Sequence, residues 1–113
     1  MPNTFKVKTK ASVPASLTTI YTVGSNTTAV VLGLALCNKT SSAITASVQL
    51  VTDTSDTETN TTVMLLNTVS IPASTTLEFF GGQKVVAQTT DVIKVLASTT
   101  SALDATLSIM EIT

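Results

Sequence analysis

The sequence predicts an all-β protein, a two-sheet antiparallel β-sandwich or jelly-roll-like fold of eight or nine short strands. Three observations carry that prediction. Apolar residues alternate with Thr, Ser and Lys at a period of two along most of the chain, which puts one side of each strand in a core. Clusters of Gly, Pro, Asn and Ser recur at intervals of about ten to twelve residues, the punctuation of a sandwich. No stretch sustains the 3.6-residue repeat of an amphipathic helix. Residues 1–113 read as one domain, with no linker and no internal repeat.

Composition narrows the chemistry. Hydrophobic residues make up 43% of the chain but aromatics only 4%, with no Trp, so the core is aliphatic. Such a core lacks the buried area that rings supply, and self-association would add to it. Charged residues are sparse at 12%, and Ser and Thr supply the polar surface. A net charge of −1 gives little long-range steering. All six basic residues are Lys, and the missing Arg argues against nucleic-acid binding, which leans on guanidinium forks. One Cys excludes an intramolecular disulfide. Residues 1–10 are polar, without the apolar segment of a signal peptide, and the longest apolar run falls short of the ~18 residues of a membrane helix.

Along the chain, residues 5–10 alternate, with Phe5 and Val7 expected inward and Lys6, Lys8 and Lys10 outward. This lysine comb marks an edge strand, and its functional reading is a patch for an acidic partner. Pro14 breaks the run. Residues 17–23 resume it, with Leu17, Thr19, Tyr21 and Val23 on one face, and Gly24, Ser25 and Asn26 turn the chain. Residues 28–37 form the central strand. Val30, Leu32, Leu34 and Leu36 are expected on one side, and Val31, Gly33, Ala35 and Cys37 on the other. Both sides are apolar, so the strand should be covered twice, the small side admitting something close.

Residues 38–42 read as a hairpin into a half-buried strand at 43–52, with Ile44, Ala46, Val48 and Leu50 inward. The polar loop 53–62 follows, where Asp53, Asp56 and Glu58 are a candidate cation site whose spacing departs from an EF-hand. Residues 63–69 form a strand ended by Pro72. Residues 75–80 form another, ended by Gly81 and Gly82, and strands at 84–88, 92–97 and 103–112 complete the set. In the last, Leu103, Ala105, Leu107 and Ile109 point inward, and Glu111 falls on the same apolar side. Either the strand bulges near Met110, or it leaves the core there and residues 110–112 contact something outside.

No reaction is specified. Without His neither a Ser-His-Asp triad nor a Cys-His pair exists. A Ser–Lys dyad is conceivable, but every Lys lies on a polar face or in a turn. Cys37 reads as an inert small core residue, and one Cys without His is a poor start for zinc. Acid–base work would fall to the loop acids or to Glu78, Asp91 and Asp104, none in a visible apolar pocket. Asn-x-Thr triplets at Asn26, Asn38 and Asn60 are what a Thr-rich chain yields by chance. The expectation is no enzyme, catalytic residue, metal or cofactor.

A set of short motifs adds to this reading. Residues 17–23 (LTTIYTV) are followed by 28–31 (TAVV), 36–38 (LCN), 69–73 (VSIPA), 91–98 (DVIKVLAS) and 103–112 (LDATLSIMEI). In that order they resemble a group of small virion structural proteins of tailed bacteriophages, over most of residues 17–113. The resemblance implies a β-sandwich that assembles on the particle in the host cytoplasm, usually as a homo-oligomer, with other virion proteins as partners. Two placements fit. One is a decoration (cement) protein bridging major capsid subunits, and the other is a neck, tail or baseplate accessory subunit. The rival from another class is a carbohydrate- or ligand-binding sandwich, against which stands the shortage of rings: Phe5, Tyr21, Phe79 and Phe80 are all there are.

Overall fold

The computed structural model describes residues 3–52, 61–79 and 84–113. Among them are nine strands: β1 (Asn3–Lys10), β2 (Thr18–Thr22), β3 (Thr28–Asn38), β4 (Ile44–Val51), β5 (Val63–Ile71), β6 (Thr76–Phe79), β7 (Val85–Ala87), β8 (Val92–Ala97) and β9 (Leu103–Ile112). The first sheet runs β1-β9-β3-β6, with β7 on the other half of β3, and the second runs β2-β8-β4-β5. Every pairing is antiparallel. The pairs are nested: β1 with β9, β2 with β8, β3 with β6 and β7, and β4 with β5. One long hairpin, folded over on itself, gives the β-sandwich its jelly-roll order.

The core between the sheets is aliphatic, as the composition requires. Val31, Leu34, Leu36, Leu107 and Ile109 of the first sheet meet Val48, Ile71, Ile93 and Val95 of the second, all buried. Among the described residues Tyr21 is the buried ring. β4 keeps the predicted phase, with Ile44, Ala46, Val48 and Leu50 inward, and so does β9 from Leu103 to Ile109.

Elsewhere the phase differs from expectation, for identifiable reasons. In β3 the register against β9 shifts between Val31 and Gly33. This bulge puts Ala29 and Val31 inward before it and Leu34, Leu36 and Asn38 inward after it. The single apolar side Val30–Leu32–Leu34–Leu36 therefore does not exist. At the same point the neighbour on β3's far side changes from β7 to β6. Cys37 lies on the outer side and is half-buried, not a core residue. In β2 a register shift between Thr19 and Tyr21 keeps Tyr21 and Val23 buried but leaves Leu17 and Thr19 exposed.

β1 is inverted. Its pairing sets Lys6 beside Ile109 and Lys8 beside Leu107, so the lysines share the inward side, while Phe5 and Val7 point out and are 70% and 61% exposed. β9's buried residues fix that register. Because β1 is an edge strand, lysine stems can lie along the core margin with their ammonium groups still in water.

The turn at 38–42 is no hairpin: β3 belongs to the first sheet and β4 to the second. Asn38, fully buried, stitches this arch. Its Nδ2 donates to the carbonyls of Ser42 (2.9 Å), Ile71 (3.1 Å) and Pro72 (3.1 Å), and its Oδ1 accepts from the Thr40 amide (2.9 Å) and hydroxyl (2.8 Å). β9 neither bulges at Met110 nor departs there, since its pairing with β1 runs unbroken to Ile112.

Candidate interaction surface

The outer side of the first sheet follows from the register. Inward residues of β9 are Leu103, Ala105, Leu107, Ile109 and Glu111, so Asp104, Thr106, Ser108, Met110 and Ile112 face out. Cross-strand partners then fall into rows. Phe5, Met110, Val30 and Val86 form one continuous apolar row across four strands. The next row along holds Val7, Ser108 and Gly33, and the one after it Thr9, Thr106, Ala35 and Glu78. On the other flank lie Asn3, Ile112 and Thr28.

Inverting β1 is what makes this surface. It carries the lysines away and supplies Phe5 and Val7. Toward the Asn38 end this side carries Glu78 and Asp104, the latter paired with Lys39, and exposed Lys84 precedes β7. Val86, at the far margin, is 57% exposed. A Cβ added to Gly33 would meet nothing within 4 Å beyond its chain neighbours, and beside it stands Leu32, the half-buried extra residue of the bulge, which does not pack on the core. The outer side of β3 is half-buried along its length, at Val30, Leu32, Gly33, Ala35 and Cys37. The outer side of the second sheet is different: its middle row is Thr19, Lys94, Gln49 and Met64, with a lysine at the centre.

At one end of the sandwich an open cleft of about 440 Å³ lies between β1, β2 and the end of β9. Glu111 is its centre. Its Oε1 is 2.8 Å from Lys6 Nζ, and its Oε2 accepts a 2.6 Å bond from the Tyr21 hydroxyl. The Lys8 ammonium stands 5.8 Å from the centre of the Tyr21 ring. Lys6, then the Tyr21 hydroxyl, hold the Glu111 carboxyl below the usual carboxylate range. Burial first, and then the bond to Glu111, push the Tyr21 phenol well above its ordinary value. The lysines expected to form an exposed comb for an acidic partner are therefore partly engaged within the chain.

The other residues with chemical capacity do not converge. Ser12 and Lys39 do meet, Nζ to Oγ at 3.2 Å, but the same ammonium is 3.0 Å from Asp104 in a surface charge clamp. The Ser12 amide, then Lys39, lower the Asp104 carboxyl's pKa. Glu78 is on the outer side of β6, and Asp91 is buried in the turn before β8, where its Oδ2 accepts from the Gln88 amide at 2.9 Å. Asp53, Asp56 and Glu58 lie outside the described residues, as do Phe80, Gly81, Gly82 and Asn60. Among the described residues no group of three or more His, Cys, Asp or Glu is placed to hold a metal ion. Asn38 is buried and committed, so its Asn-x-Thr triplet is no acceptor for glycan.

Sequence reasoning missed the outer row because alternation alone cannot say which side of an edge strand faces in. The signal available was Glu111: a carboxylate on an inward side calls for a cation, and an inward β1 comb supplies it. Comparison of the chain with protein-family models, curated proteins and solved structures gives no match.

Proposed function

We propose that this chain is a structural protein of a tailed-phage virion, a decoration subunit that seats on the head shell and reinforces it through subunit contacts. The observation that carries the reading is the outer side of the first sheet, where the apolar row Phe5–Met110–Val30–Val86 crosses four strands, exposed at Phe5 and Val86 and half-buried at Met110 and Val30. A monomer gains nothing from exposing such a row, whereas a subunit buries it. The motif resemblance over most of residues 17–113 supports a place on the particle. The jelly-roll order is compatible with that, since capsid domains use it, although the fold is shared with unrelated functions. Cement proteins act by repetition: modest contacts per copy, multiplied over a lattice, stabilise the whole shell.

The experiment is addition of the pure protein to heads that lack it, followed by sedimentation and heating of the shells. Stoichiometric binding and a raised melting temperature of the shell are expected. Presence in purified tails but not in heads would move the placement to the neck or tail. Absence from intact particles by mass spectrometry, with no binding to heads or tails, would overturn the virion reading.

A further inference from the structure

We infer that β1 is a detachable strap: the chain up to Ser12 can leave the sandwich while the rest stays folded, and the contacts of Glu111 with Lys6 and Tyr21 are its latch. No side chain of β1 belongs to the core. Its residues are exposed, apart from half-buried Lys8 and Lys10. The inversion that turns the lysines inward thus leaves β1 without the apolar burial that holds an internal strand in place. β1 lies at the end of its sheet, with β9 as its neighbour. What holds it is the ladder from Asn3 to Lys10, on an edge that water reaches, and the latch near one end of that ladder.

The boundary of the strap is built into the chain. Ser12 takes a left-handed backbone, with φ at 55°, and bends the chain there. Val13 follows, fully buried, its amide donating to the Leu103 carbonyl (2.8 Å) and its carbonyl accepting from the Ser101 amide (3.3 Å). The Pro14 carbonyl accepts from the Ala97 amide at 3.2 Å. At the bend itself the Ser12 amide donates to Asp104 (2.9 Å), and Lys39 donates to the Ser12 hydroxyl (3.2 Å). The chain is therefore pinned to both sheets just past the bend, and an opening that begins at Asn3 stops there. β9 does not leave with β1, because its other edge pairs with β3 from Leu103 to Ile112 and its inward residues Leu103, Leu107 and Ile109 are core. Departure of β1 bares one edge of β9 and removes Phe5 and Val7 from the outer side.

Native-state hydrogen exchange of the full chain, read residue by residue by NMR in low concentrations of urea, tests this. Successive amides of a strand point to opposite edges, so β9 should show two classes. Those facing β1 should exchange together with β1 itself, ~tenfold or more faster than those facing β3 and than the amides of β4 and β8, and with a smaller urea slope. Glu111→Gln should speed the exchange of β1 by roughly fivefold, through loss of a half-exposed ion pair and of a hydrogen bond to a charged group. Trypsin gives a second reading: cuts after Lys6, Lys8 or Lys10 should leave a remainder that keeps the circular dichroism of the folded sandwich. A single class of β9 amides, exchanging with β1 only when β4 and β8 do, would overturn the strap, and so would a clipped remainder that unfolds. Unchanged exchange of β1 in Glu111→Gln would overturn the latch.

Discussion

The two ends of β3 are both closed by polar side chains, and they are built on opposite principles. At its C-terminal end Asn38 is fully buried and neutral, and its amide ties Ile71 and Pro72 to the arch at Ser42. At its N-terminal end the polar side chain is Glu111, opposite Ala29. It is ionic, with Lys6 reaching it from the solvent side and Tyr21 from the core side. An amide can satisfy several backbone groups without carrying charge into the core. A carboxylate on the inward side has to stay at a margin where a cation and water reach it. One end should therefore be rigid and indifferent to pH, and the other tolerant of substitution but responsive to pH.

Asn38 gives the largest expected effect. Asn38→Ala removes the donor to three carbonyls and the acceptor for Thr40, leaving buried polar groups without partners. A loss of about 3 kcal/mol is expected, read by urea unfolding with the slope checked for change. The loss should be the same at pH 5 and pH 8, since no ionisable group takes part. A cost under ~1 kcal/mol would mean that the arch is held by packing instead.

At the other end, Tyr21→Phe removes one bond to a charged group and should cost about 1–2 kcal/mol near neutral pH. The sign of the pH dependence follows from the lowered Glu111 pKa. The folded state holds this proton less tightly than the unfolded one. The stabilisation is complete above the unfolded Glu value of ~4.3 and is lost as pH falls through the lower folded value. Asp104 is lowered too and adds to the same acid loss. Glu111→Gln should therefore flatten part of the acid limb in a pH series of unfolding midpoints, leaving the Asp104 share. An unchanged limb would show that the Lys6–Glu111–Tyr21 contacts are not kept in solution.

Tyr21 offers a cleaner probe, because the chain has one Tyr and no Trp. Its raised pKa means that the folded state favours the neutral phenol. That contribution is present below the ordinary value of ~10 and is lost as pH rises above it. Tyrosinate absorbance should stay flat through pH 10 and rise together with loss of the β-sheet circular dichroism. Ionisation at ordinary pH with the fold intact would place the hydroxyl in water.

How much of this was legible beforehand depended on whether a strand had one solution or two. β8 and β9 have the bounds read from the sequence, and β4 has its inward residues, because their alternation is long and consistent. β1 offers two apolar and three basic residues on alternate sides. Taken alone, burying Phe5 and Val7 is the favourable choice, and the pairing with β9 overrides it. β3 hid its bulge because both sides are apolar, so a one-residue slip leaves no mismatch in the sequence. The arch at 38–42 has the composition of a hairpin turn, and only the burial of Asn38 tells a sheet-to-sheet crossing from a return. Glu111 breaks the alternation of β9, but its partner Tyr21 lies 90 residues away in sequence, beyond the reach of a local pattern.

The smallest expected effect lies midway between the two ends, at the bulge. Gly33 needs no left-handed backbone, and an added Cβ meets nothing within 4 Å. Gly33→Ala should therefore stabilise the isolated chain slightly, by about 0.5 kcal/mol, through the lost freedom of the unfolded state. A destabilisation beyond ~1 kcal/mol would mean that the bulge itself depends on glycine. The comparison sharpens when the same variant is examined at high concentration. Both ends are satisfied within one chain, and substitutions there should alter unfolding without altering mass in solution. Gly33 lies at the bulge on the outer side of β3, where an added methyl group would sit on the surface and not in the core. A stabilised Gly33→Ala monomer with weakened self-association would separate what this strand does for its own fold from what its outer side does for a neighbour.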